Sequence, residues 1–183
     1  MNNILQKGLT LTEMLVVVSI VVIFSTMVFA NYGTGKESMA LERAGQKLAQ
    51  DLRRTQEMAM AGSFGDGVNA VGIYFDRRDT DNIYYIIYEN KDGNYSYGAG
   101  DTDKETINIE AGIKICNIVN TSSTDTISIS FAPPEPVTRI DDGSISVFDV
   151  SIVLAPVNDN CVLPSKSRTI KVNNVGRIEV NNP

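Results

Sequence analysis

Histidine is absent from this 183-residue chain, and cysteine occurs only twice, at Cys116 and Cys161. Without an imidazole, Ser-His-Asp triads, HExxH zinc sites and most general-base schemes are excluded. The two thiols are too far apart for a CxxC redox pair and too few for a four-cysteine zinc site. Two readings of them stay open, a single disulfide or two unpaired core thiols. If the domain lies outside the cytoplasm, closing a loop of that length adds roughly 3–4 kcal/mol on the chain-entropy model. Positive charge is also in short supply. Sixteen Lys and Arg against 22 Asp and Glu leave a formal net charge of −6 and a pI near 4.7, which argues against a partner held by a general electrostatic field, such as bulk nucleic acid. No nucleophile and base are legible together, so the expectation is a protein that is not an enzyme and needs no cofactor or metal.

What the chain does contain is a dense apolar block near its start. Met14 to Ala30 carries no charge, and counted from Leu9 the block makes about 33 Å of helix, enough to cross a hydrocarbon layer of ~30 Å. The run of Val16, Val17, Val18, Ile20, Val21, Val22 and Ile23 suits a soluble helix poorly. In lipid the backbone must bond to itself, and helix is then the form expected. Lys7 precedes the block and Glu13 stands at its edge. The positive-inside rule puts the N-terminus in the cytoplasm and everything after Tyr32 outside. Glu13 is the anomaly, because a carboxylate carried toward a bilayer core costs roughly 2.5–3.5 kcal/mol on insertion scales.

No small-residue cleavage site follows the block. The stretch K-G-L-T-L-T-E before it, Lys7 to Glu13, resembles the class III signal of type IV pilins and type II secretion pseudopilins. Lysine, glycine, the glutamate and the apolar run all fall in that family's register, with Leu9 standing where the family usually has phenylalanine. The resemblance implies cleavage between Gly8 and Leu9 by a membrane prepilin peptidase, N-methylation of Leu9, and an assembly role for Glu13. Its implied partners are other pilin or pseudopilin subunits, the prepilin peptidase, an inner-membrane assembly platform and, before assembly, lipid. The expected partner of Glu13 is the α-amine that cleavage creates on a neighbouring subunit. At ~4 Å and an effective dielectric near 20, such a pair attracts by about 4 kcal/mol, comparable to the cost of burial. An acid in a first helical turn gains only ~0.3–1 kcal/mol from the helix dipole.

Further on, Gly33 and Gly35 weaken a helix interior, and Thr34-Gly35-Lys36-Glu37 has the form of a capping box. The expectation is a hinge at Asn31–Gly35 between a membrane helix, 9–32, and an amphipathic helix, 33–62, after a leader of residues 1–8. The GTGKES stretch lacks the full phosphate-loop pattern. Leu41, Ala44, Leu48, Leu52, Thr55 and Ala59 recur at helical spacing on one face. Arg53-Arg54 reads as a solvated flank. From residue 63 to 183 the period changes to that of strands, with candidates over 69–78, 81–90, 106–119, 126–132, 144–155, 168–174 and 176–180. The segment 90–105 reads as a hairpin loop. Its Asp92, Asp101 and Asp103 suggest calcium, but without the ligand order of an EF-hand. The proline-rich 132–144 reads as a second loop. The fold class expected is α+β and pilin-like, a long N-terminal helix packed on an antiparallel β head.

Within the family, LAQDLRRTQEMAM leading to VNAVGIYFD, with a C-terminal SRTIKVNNVGRIEV, resembles the minor pseudopilins called GspH and the minor pilins called FimT. The absence of proline before Pro133 points the same way. The function implied is a structural subunit of a pilus or pseudopilus. FimT-like proteins also imply a DNA-binding alternative through Gly-Arg-x-Arg. Here that motif reads Gly176-Arg177-Ile178-Glu179, with Lys166, Arg168, Lys171 and Arg177 as the candidate contacts. Their plainer role is to keep an edge strand soluble. A membrane-anchored binding module that never polymerises is a further alternative.

Overall fold

The computed structural model describes residues 10–62, 67–78, 83–119, 125–133, 137–141, 146–162 and 164–181. Among the described residues there are one α-helix, α1 (Leu11–Ala61), and ten strands: β1 (Ala70–Asp76), β2 (Tyr84–Asn90), β3 (Thr102–Asn108), β4 (Ile113–Val119), β5 (Thr126–Ala132), β6 (Val137–Asp141), β7 (Ser146–Val147), β8 (Asp149–Pro156), β9 (Arg168–Asn173) and β10 (Ile178–Asn181). All pairings are antiparallel. A six-stranded sheet has the order β3-β2-β1-β5-β6-β7, and a four-stranded sheet the order β10-β9-β8-β4. The chain is therefore α+β, with an apolar N-terminal helix followed by antiparallel sheets.

The interruption expected across residues 31–35 is not present in the backbone, which is helical without a break from Leu11 to Ala61. Two glycines weaken a helix by about 1 kcal/mol each but remove no hydrogen bond, and no proline is there to do so. The chain nevertheless divides into two compact units, Met1–Glu37 and Ser38–Pro183, with the boundary inside the helix.

In the second unit the helical face expected from spacing is the buried one. Leu41, Ala44, Leu48, Leu52 and Ala59 join a single core cluster with Val71, Ile73 and Phe75 of β1, Ile127, Ile129 and Phe131 of β5, Ile152 and Leu154 of β8, and Ile170 and Val172 of β9. Both sheets thus turn their alternating apolar faces to one core. Thr55 is buried on the same helical face and satisfies its hydroxyl on the Asp51 carbonyl at 2.7 Å. Asp51 in turn accepts from the Tyr85 hydroxyl at 2.5 Å, joining helix to β2.

Two strands depart from the expectation. β3 begins at Thr102, in the segment read as turn, and is a charged and mostly exposed sheet edge. Its Lys104 and Glu105 pair with Glu89 at 2.6 Å and Arg54 at 3.0 Å, so Arg54 is a helix-to-strand tie. β6 lies within the segment read as the second loop. Its Thr138 and Ile140 are buried beside β5, and the prolines stand only before it.

Candidate functional site

Leu11–Phe29 has a mean hydropathy of 2.3, and none of it is buried in the structure. Its 19 residues make about 28 Å of helix at ~1.5 Å per residue, so by length and composition this helix is able to cross a membrane. Of its three mid-span hydroxyl residues, Ser19, Ser25 and Thr26, two turn inward on the backbone: Ser19 donates to the Leu15 carbonyl at 2.7 Å and Thr26 to the Ile23 carbonyl at 2.8 Å. Bonding of this kind satisfies those two hydroxyls without a partner outside the helix.

Glu13 sits at the start of this helix and is not solitary. Its carboxylate accepts the Thr10 backbone N–H at 2.9 Å and the Thr10 hydroxyl at 2.9 Å, while the Glu13 N–H lies 3.2 Å from the Thr10 hydroxyl oxygen. That is a reciprocal capping box built by Thr10-Leu11-Thr12-Glu13. The same T-x-x-E pattern at Thr34–Glu37 starts no helix, because the chain is already helical there. The signal for the first box was present in the sequence as a threonine three residues before a glutamate at the head of an apolar run. Lys7, Gly8 and Leu9, the residues expected to direct and undergo processing, lie outside the described residues.

The basic residues near the C-terminus do not form one surface. Arg168 and Lys171 are three apart on β9, so they point to opposite faces of the sheet. The Arg168 side chain is 15% exposed and pairs with Glu42 of the helix. A Cβ on Gly45 would stand 2.8 Å from Arg168 Cγ, so the glycine leaves the path by which this arginine reaches α1. On the other face Lys171 donates to Asp149 at 2.8 Å, a bond that holds its ammonium pKa above the ordinary lysine range, and Arg177 donates to Glu179 at 2.6 Å. Lys171, Asn173, Arg177 and Glu179 line a shallow polar depression. Two cations against two carboxylates leave that surface neutral. Lys166 is placed by its backbone N–H, which Asp159 accepts at 3.3 Å. The edges of this sheet are β10 and β4; β9 is flanked on both sides, so Arg168 and Lys171 do not guard an edge.

Cys116 and Cys161 are joined by a disulfide with a Cα separation of 4.9 Å. The register of β4 against β8 shifts between Ile115 and Asn117. The extra residue of that bulge is Cys116, which is freed from the pairing and presents its sulfur to the 157–167 connection. That connection is fastened by Asp159, which accepts the Ser165 hydroxyl and N–H, both at 2.8 Å. The Ser165 hydroxyl bond leads the interactions that lower the Asp159 pKa.

The three aspartates weighed for calcium accept hydrogen bonds within their own loop, and Asp92 and Asp101 share the Asn90 amide at 3.1 and 3.2 Å. Asp101 accepts the Lys91 N–H at 3.0 Å and the Gly98 N–H at 2.9 Å, Asp92 accepts the Asn94 N–H at 3.1 Å, and Asp103 accepts the Tyr97 hydroxyl at 2.7 Å. The last bond, with partial burial, pushes the Tyr97 pKa up to about 12. Among the described residues no group of three or more His, Cys, Asp or Glu side chains gathers as a metal site.

No protein-family model, curated protein or solved structure matches this chain. The resemblance to pilins and pseudopilins stands on the residues quoted for it.

Proposed function

We propose that the chain is a structural subunit of minor pseudopilin or minor pilin type, in a type IV pilus or a type II secretion pseudopilus. It is held in the inner membrane by one helix with its N-terminus in the cytoplasm, cut between Gly8 and Leu9, methylated on Leu9, and drawn into a filament through its apolar helix. The observation that carries this reading is the bare helix Leu11–Phe29, uncharged from Met14 onward, with K-G-L-T-L-T-E running into its first turn. The disulfide supports a head on the oxidising side of the membrane. The head is a non-enzymatic surface or tip element. Its balanced charges around Lys171 and Arg177 speak against the DNA-binding alternative, which calls for a surface with excess positive charge.

The Thr10–Glu13 cap favours a second reading, a membrane-anchored module that does not polymerise, because it gives the carboxylate partners within its own chain. Mass spectrometry of a tryptic digest of the protein extracted from its native membrane separates the two. An N-methylated peptide beginning at Leu9 is the expected result. A peptide beginning at Gly8, left by trypsin at Lys7 of an uncut chain, overturns the subunit reading.

A further inference from the structure

The 91–101 segment between β2 and β3 contains no strand, yet it is fastened across the outer face of the six-stranded sheet. The Tyr95 carbonyl accepts the Tyr88 hydroxyl at 3.1 Å and the Ser130 hydroxyl at 2.9 Å, and the Tyr97 N–H donates to Ser128 Oγ at 3.0 Å. Tyr95 has a φ of 66°, the left-handed region, and its ring lies 4.2 Å from the Arg139 guanidinium. Anchored on this side, the turn leaves Asn94 exposed to solvent, between Asp92 and Ser96.

Asn94-Tyr95-Ser96 is an N-x-S triplet, the acceptor pattern for N-linked glycans on extracytoplasmic loops. The local geometry suits that chemistry. Asn94 Oδ1 accepts the Ser96 N–H at 2.8 Å, which fixes the orientation of the amide and polarises its carbonyl. Asn94 Nδ2 donates to Asp92 Oδ2 at 2.7 Å, which sets a carboxylate against the nitrogen that must give up a proton. The chain's second such triplet, Asn120-Thr121-Ser122, has Ile118 in place of a carboxylate two residues before the asparagine.

We propose that Asn94 is an N-glycosylation site, modified from a membrane-borne glycosyl diphosphate by a host transferase. Asn94 Nδ2 attacks the anomeric carbon of the donor and a C–N bond forms. The bond from that carbon to the diphosphate oxygen breaks, the diphosphate leaves with the electron pair, and the Nδ2 proton passes to a carboxylate. The inference rests on the outward head of the proposed function.

Trypsin acting at Lys91 and Lys104 isolates Asp92–Lys104, which contains Asn94 and excludes Asn120. Glycopeptide mass spectrometry of the full chain from its native membrane should find this peptide carrying a hexose- or hexosamine-series increment, and fragmentation should assign it to Asn94. Asn94→Gln and Ser96→Ala should abolish the increment, whereas Ser96→Thr and Asn120→Gln retain it. A peptide found only unmodified, or a sugar assigned to the hydroxyl of Tyr95 or Ser96, overturns the proposal. The N-terminal peptide of the same digest reports separately on processing. A methylated Leu9 with a bare Asp92–Lys104 removes only the glycosylation, and a Gly8 terminus beside a glycopeptide removes only the filament reading.

Discussion

At the scale of single residues, Glu13 carries one contact in the structure and one role in the proposed function. Within its own chain it closes a helix cap with Thr10. For assembly, the proposed function asks the same carboxylate to meet a neighbour's new amine. Glu13→Gln keeps a polar cap but removes the charge, so membrane insertion should be unchanged while filament incorporation falls; co-sedimentation with sheared filaments measures it, and full incorporation would exclude charge pairing. Gly72 is constrained for another reason. A Cβ there would stand 2.7 Å from the Tyr88 ring and hydroxyl, and Tyr88 is fully buried. Gly72→Ala should therefore destabilise the head by about 1–3 kcal/mol in urea titration. Asp76 adds a pH dependence. Hydrogen bonds from Arg78, at 3.1 and 2.8 Å, lower its pKa despite the opposing effect of partial burial. A carboxyl group with a depressed folded-state pKa contributes stability above its unfolded pKa, near ~3.9, and loses it as the pH falls through the folded value. Stability measured from about pH 5 downward should thus decline less steeply in Asp76→Asn than in the parent.

At the scale of elements, the helix is the most legible part of the chain. The spacing of Leu41, Ala44, Leu48, Leu52, Thr55 and Ala59 identified its buried face, because helical side chains repeat every 3.6 residues whatever they pack on. Leu52 is fully buried there, so Leu52→Ala should cost roughly 2–5 kcal/mol in denaturant. The glycine-based interruption at 31–35 was misread for a physical reason, since propensity lowers helix stability without dictating where a hydrogen-bonded ladder stops. Strand β3 was only partly legible because a charged edge strand lacks the apolar alternation that marks a buried one. β6 was obscured by prolines that border it without entering it. The β4 bulge is a different case: the two cysteines were visible but their pairing was one of two open readings, and the extra residue that lets Cys116 face Cys161 exists only in the register with β8. The bridge spans 45 residues of chain, and Cys161→Ser should lower stability by about 2–4 kcal/mol. Equal midpoints for parent and variant in urea without reductant would show that the crosslink contributes nothing.

At the scale of the whole molecule, the chain combines an apolar helical segment left bare with a head that encloses one shared core. The apolar segment was readable from composition and length alone, because bilayer thickness and helical rise set how many apolar residues a span needs. The lack of histidine, the acidic balance and the α+β class were readable for the same reason: they depend on residue type and local period, not on what meets what. Tertiary structure decided the rest. It separated Arg168 from Lys171 onto opposite faces, gave each cation of the C-terminal hairpin an acidic partner, and placed Asn94 outward on a turn fixed by Ser128 and Ser130 of a distant strand. Those outcomes rest on strand register and on contacts between residues far apart in sequence. Their Coulombic and hydrogen-bond energies change within a few ångströms, a scale that one-dimensional spacing does not carry.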